Sequence, residues 1–366
     1  MTRRRLGRPL GATVATALLA RPALAHVDYV TDPATETSDA IAFVGQTLSD
    51  PVNAALFGGG ALGVVVALAL YLRYRPTVRD IEVLRATLSS YDDLIPWMLR
   101  LSLGLPLVGA GFQGYLFAPV DSLRFQPTAA PLLRLVLIGV GFCILFGLGT
   151  RIVTTVGTAL YLYALAVSPD ALLAVEYLPG FVALFLLGGG RPSADDILLD
   201  IASTDGSIYG RIDPVHLLKR FLDDLTEPYR RYVPTVLRVG LGISFIFLGV
   251  TQKLGSPARS LAVVEKYDLT AVVPVDPNLW VLGAGVTEAA VGLALIAGLL
   301  TRATAFTAFL LFTTTLFGLP DDPVLAHVTL FGMASALVTL GAGPLSLDGY
   351  LRGEQSRERD VSPTVD

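Results

Sequence analysis

Residues 237–348 alternate between apolar runs and short polar signposts in a fixed order. The first run contains Arg238, Gly242 and Gly249 and closes on Gln252 and Lys253, and the second carries Glu288, Gly292 and Gly298 and ends on Thr301 and Arg302. A third covers residues 303–316, and a fourth begins at Val324 and ends in Gly341-Ala342-Gly343, followed by Ser346-Leu347-Asp348. An apolar segment of about 17 to 25 residues crosses a bilayer as a helix, because lipid offers the backbone no partners. The pattern predicts four hydrophobic helices.

An upstream stretch repeats the layout. Arg100, Gly104 and Gly111 have the spacing of Arg238, Gly242 and Gly249, and Gly141, Gly147, Thr150 and Arg151 fall 151 residues before Gly292, Gly298, Thr301 and Arg302. Ser193 and Asp195 follow Gly188-Gly189-Gly190 as Ser346 and Asp348 follow the later triplet. Glycines recur in apolar sequence by chance, but an Arg, a Thr-Arg and a Ser-x-Asp in one order point to an internal duplication of a four-helix unit.

Composition places these runs in a class. Hydrophobic residues make up 53% of the 366 residues, charged residues 16%, and the mean hydropathy is +0.62. That balance belongs to a multi-pass membrane protein rather than a soluble domain. The net charge of −4 says little, since sidedness is what matters in a membrane, and no basic patch suggests nucleic acid. The single cysteine, Cys143, excludes an internal disulfide and a thiolate metal site and reads as apolar filler.

In chain order, residues 1–25 read as a signal: Arg3, Arg4, Arg5 and Arg8 precede a short apolar region and an Ala23-Leu24-Ala25 cleavage site. The Arg run also resembles a twin-arginine signal. Residues 26–90 hold an exported acidic segment, a span at 53–72 and an Arg-rich linker with Arg73, Arg75, Arg79 and Arg85. By the positive-inside rule that linker is cytoplasmic and the mature N-terminus lies outside. The first unit, 91–200, then spans at 95–117, 131–148, 152–168 and 171–187. A cytoplasmic linker, 201–233, has apolar residues spaced for an amphipathic helix over 214–232. The second unit, 234–350, spans at 234–250, 279–300, 303–316 and 324–340, with no broken helix expected and a long outer loop at 255–278. A disordered cytoplasmic tail, 351–366, completes an all-α chain of nine spans in the cell membrane: two four-helix units plus one N-terminal span.

Few residues offer chemistry. Glu288 falls near the middle of its span, where an ionisable group costs roughly 2.5 kcal/mol or more unless paired, hydrated or protonated. It reads either as a proton donor or acceptor beside a quinone carbonyl, or as a tie to a polar group on a neighbouring helix. Gln252 and Lys253 form an outer-face pair able to hold an anionic headgroup or substrate. Arg238 and Arg302 lie near the inner face, where snorkelling to headgroups is the simple reading. The glycines allow close helix packing, and Ser346 and Asp348 suit a turn or cap. Of His26, His216 and His327, only His327 approaches a span, so a haem between two histidines has no ligand pair. A copper site on an amino-terminal His26 with His327 is a remote alternative, and no metal site is assigned.

The second unit resembles the DoxX family of small four-helix membrane proteins, through Arg238-x-x-x-Gly242, Gly249-x-x-Gln252-Lys253-Leu254, Glu288-x-x-x-Gly292, Gly298-Leu299-Leu300-Thr301-Arg302 and the 341–348 ending. The first unit matches only in outline: Leu137 stands in the place of Glu288, and Gly114 and Tyr115 in those of Gln252 and Lys253. The resemblance implies association with membrane redox assemblies, with quinone as the expected non-covalent cofactor. The expected role is a membrane subunit of a quinone-linked redox complex, with Glu288 as the reacting group and Gln252, Lys253, Arg302 and Arg238 on the cofactor. The expected partners are the bilayer and a protein of that complex; the sequence sets no oligomeric state and leaves open whether the chain is itself an enzyme. The alternatives are a non-catalytic anchor or assembly protein and, ranked below it, a small-solute transporter.

Overall fold

The computed structural model describes residues 40–74, 78–212 and 215–351, and its named elements are all helical. The signal, the acidic segment as far as residue 39, and the tail from residue 352 lie outside the described residues. A short helix, α1 (Ala40–Ser49), leads into the long apolar helix α2 (Pro51–Tyr74), whose entry is capped by Asp50 accepting from the amides of Val52 and Asn53. After α3 (Arg79–Ser89), unit one follows as α4 (Ile95–Gln113), α5 (Ala130–Phe146), α6 (Thr150–Val167) and α7 (Tyr177–Leu187). The linker contains α8 (Ala194–Ser203) and the expected amphipathic helix, α9 (Val215–Thr226). Unit two is α10 (Val233–Phe247), a small helix α11 (Pro257–Lys266), α12 (Pro277–Ala297), α13 (Thr301–Gly318) and α14 (Val324–Leu340).

Among the described residues, five helical stretches are long and apolar enough to cross a membrane: Pro51–Tyr74, Asp92–Gln113, Thr150–Val167, Phe221–Leu254 and Pro277–Ala297. With α13 and the shorter apolar helices α5, α7 and α14 they make an all-α multi-pass membrane protein of two four-helix units and one additional span. The span expected at 171–187 is shorter than its apolar run: a 3-10 stretch, Pro169–Ala174, precedes α7, which begins only at Tyr177. Pro179 has no N–H for the carbonyl four residues back, so a regular ladder does not run through this segment.

Two expectations in unit two are corrected. The outer loop at 255–278 contains helix α11, started by Pro257 at its first turn, with Arg259, Ser260, Val263 and Val264 buried on one face against α12. Their spacing is that of one helical stripe, hidden among charges. The first helix of unit two is also not regular: α10 passes into a π turn over Leu248–Leu254, which carries Gln252 and Lys253. π turns widen the ladder locally and re-aim side chains.

Both units are closed by backbone contact at glycine. A Cβ on Gly104 would stand 2.9 Å from the Gly141 carbonyl oxygen, and one on Gly242 2.6 Å from that of Gly292. The units meet along a seam in which α4 packs on α14 and α7 on α10. Ser102 fills the space at Gly332 while Pro179 fills that at Gly240. These contacts are equivalents, since 240 − 102 = 138 and 332 − 179 = 153, the offsets that also relate Arg238 to Arg100 and Gly341 to Gly188. The seam therefore has an approximate two-fold character.

Candidate functional site

The signpost residues divide between the two ends of each unit. At the end where α12 turns into α13, Gly298 takes a left-handed conformation with φ of 66° and stops the helix; Gly147, with φ of 65°, does the same between α5 and α6. Asp348 then accepts from the amides of Leu300 and Thr301 at 2.7 and 2.8 Å, capping α13 from a distant segment. Asp195 does this for Gly149 and Thr150 at 2.6 and 2.9 Å. The Ser-x-Asp ending is thus a helix cap supplied across the bundle.

Arg238 and Arg302 belong to this end. Arg238 is 1% exposed and donates to the carbonyls of Ala342, Leu295, Ile296, Pro344 and Leu345. It stitches the end of α12 to the turn after α14 and does not snorkel. Arg100 repeats the arrangement on Gly189, Pro192 and Leu145. Arg302 donates to Thr339 O at 2.8 Å.

Glu288 stands ten residues before Gly298, about 15 Å along α12, and the structure brings it to Lys253. The ammonium lies 2.7 Å from both carboxylate oxygens. The π turn presents this lysine, and the pair is neither sealed nor open, with side chains 20% and 17% exposed. Gln252 beside it is completely buried, and its backbone carbonyl accepts from the Ser260 hydroxyl of α11. The α1 helix and α11 lie over this end of unit two, packing Phe43 and Val264 on Val281 and Leu282, with Leu254 and Val286 at the edge. On the flank, Thr287, Ala290, Leu293 and Val250 are exposed. The structure therefore groups Glu288, Lys253 and Gln252, and sets Arg238 and Arg302 apart from them.

Three features were not read from the sequence. His327, 1% exposed, faces the carboxylate of Asp322 at 3.4 Å, close to the Phe312 ring; its proposed copper partner His26 lies outside the described residues. Glu176 is a 3% exposed carboxyl at the entry to α7. It was legible as a lone acid within the apolar run 171–187. Finally, a half-open cavity of about 530 Å³ lies at the arginine end of unit one, bounded by the linker and lined by Arg151, Lys219, Tyr209, Asp223 and Arg230 among others.

The linker is latched there. Arg151 donates to Asp223 at 2.7 Å, to Thr226 at 2.9 Å and to Phe185 O at 2.9 Å, and Lys219 approaches Asp223 at 3.4 Å. Burial pushes the Asp223 carboxyl up, but Arg151 and Lys219 outweigh it and hold the group below the usual carboxylate range. A depressed carboxylate stabilises the latch above its unfolded pKa and loses that contribution as pH falls through the lower folded value. Limited proteolysis is therefore expected to leave residues 219–232 resistant at neutral pH and to cleave them below the ordinary Asp range, with Asp223→Asn sensitive at both.

The fold and its ion pair thus define a polytopic helical membrane protein with a polar site set into one bundle. Within its second unit, residues 233–320 match the DoxX family model. No curated protein matches the chain, and no solved structure does.

Proposed function

We propose that this chain is the membrane subunit of a quinone-linked redox complex in the cell membrane, with the Lys253–Glu288 pair as its quinone site. The observation that carries this reading is an ion pair inside an apolar bundle, presented by a π turn and left partly open beside a lipid-facing flank. Its donor set fits a quinone: an ammonium that can donate to a carbonyl oxygen, next to a carboxylate that can accept a proton from a hydroxyl. A bound quinone would supply a two-electron, two-proton couple. Lys253 would orient the ring by one carbonyl, Glu288 would hold or release the proton, and buried Gln252 would fix the turn that aims the lysine. The α1 and α11 helices restrict water on the side they cover. Arg238 and Arg302 act through the frame rather than on the quinone. The electron partner is a second protein of the complex. The cytoplasmic side is the arginine end, which carries the linker and the two inter-helix turns, and the two units descend from one duplicated unit.

A non-catalytic anchor is the second reading, favoured by α2, none of whose membrane-spanning window is buried in the chain. Native mass spectrometry of the protein extracted gently from its own membranes separates the two. Bound quinone in the wild type, lost in Glu288→Gln at unchanged protein level, is the expected result. Co-purifying protein without quinone in the wild type would leave the anchor reading standing in its place.

A further inference from the structure

The outer half of unit one holds a carboxyl with no counterpart in the Lys253–Glu288 pair. Glu176 is 3% exposed. It sits where the 3-10 stretch Pro169–Ala174 gives way to α7, and among the described residues no cation pairs with it as Lys253 does with Glu288. Its own backbone N–H donates to the carboxylate. The titratable groups that face it are phenols: Tyr177 beside it in α7 and Tyr161 on α6, with Tyr115, from the segment after α4, behind Tyr177. Phe117 closes the box, stacked edge-on against Tyr161 at 5.3 Å and Tyr177 at 5.0 Å.

Such a site is costly to leave charged. An ionised carboxylate transferred from water to an apolar interior without a cation or several donors is strongly disfavoured, and the group neutralises instead. In a membrane interior an unpaired acid is a functional site by default. The box is also not isolated. Tyr177 reaches Thr329 of α14, and the Thr329 hydroxyl donates to the Ser102 carbonyl of α4 at 2.9 Å. A polar thread from Tyr177, the chain neighbour of Glu176, therefore crosses the seam between the units.

We propose that Glu176 is a second proton-binding site of the protein: a buried carboxyl among Tyr161 and Tyr177 that takes up one proton to become a neutral acid. The step is a proton transfer alone, carboxylate plus proton giving carboxylic acid, with no electron moved. It is independent of quinone at Glu288. Unit one, with Leu137 where unit two has Glu288, carries its acid on the seam instead of in the cleft between its first two helices.

The test is infrared spectroscopy of the full-length protein in lipid nanodiscs, recorded as difference spectra over a pH series. The expected result is a carbonyl stretch of a protonated carboxylic acid that downshifts on transfer to deuterated water. It should vanish in Glu176→Gln and persist in Glu288→Gln. Tyr177→Phe, which keeps the ring and removes the hydroxyl, should shift the band without abolishing it; this arm remains decisive if Glu176→Gln does not fold. A band that survives Glu176→Gln, or one indifferent to Tyr177→Phe, would overturn the proposal, as would the absence of any protonated-acid band throughout the series.

Discussion

Arg238→Leu is expected to abolish the folded protein. The guanidinium holds five carbonyls from two separate segments, at the end of α12 and in the turn after α14. Each unsatisfied buried acceptor costs about 1–3 kcal/mol, and removal of one partner from a buried charged network typically costs about 3–5 kcal/mol. That range equals much of the stability of an ordinary domain. Arg238→Lys should not rescue, because one ammonium has three donors on a flexible stem and cannot span the fork. The measurement is thermal unfolding in mild detergent, with the amount of monodisperse protein as a second reading. Arg100→Leu, removing three carbonyl contacts rather than five, should be less severe. An Arg238→Leu protein that melts within a few degrees of wild type would refute this account of the arginine end.

The second large effect is expected at the ion pair, and it has the form of a cycle. Lys253→Met leaves Glu288 ionised and unpaired within the bundle, a loss of about 2.5 kcal/mol or more. Glu288→Gln leaves an ammonium facing a neutral amide and should cost less, since the amide oxygen still accepts. The double variant Lys253→Met/Glu288→Gln should recover most of the loss, because replacing both charges removes the desolvation penalty along with the attraction. Unfolding of the four proteins under one condition gives the coupling. Additive losses would mean that the two side chains do not interact, and the quinone reading would lose its geometry. Recovery of stability without recovery of quinone would separate the structural part of the pair from its function.

The frame of this protein was legible in its sequence because the frame is made by residues with few alternative uses. A glycine in an apolar run, an Arg at the head of a span and a Ser-x-Asp past its end each have a narrow physical role, and the structure gives each one. The site was legible in its members but not in its pairing. Lys253 and Glu288 are 35 residues apart, and only the π turn over Leu248–Leu254 swings the lysine towards α12. Nothing in Leu-Gly-Val-Thr-Gln-Lys-Leu announces a widened turn. Helix α11 was hidden because its charged face, with Glu265 and Lys266, dominates its composition. Glu176 was hidden by the opposite effect, one acid diluted in an apolar run. Its burial, among aromatic rings that include Phe117 packed on Tyr177, is something periodicity does not report.

The seam has a consequence for stoichiometry. Because α4 meets α14 while α7 meets α10, the surface by which one unit would recruit another is consumed within a single chain, and the pairing closes on itself. Any larger assembly would therefore receive each chain with that valence already spent. Whatever gathers around it must approach by another flank, and the two halves of the pair always arrive in the ratio of one to one.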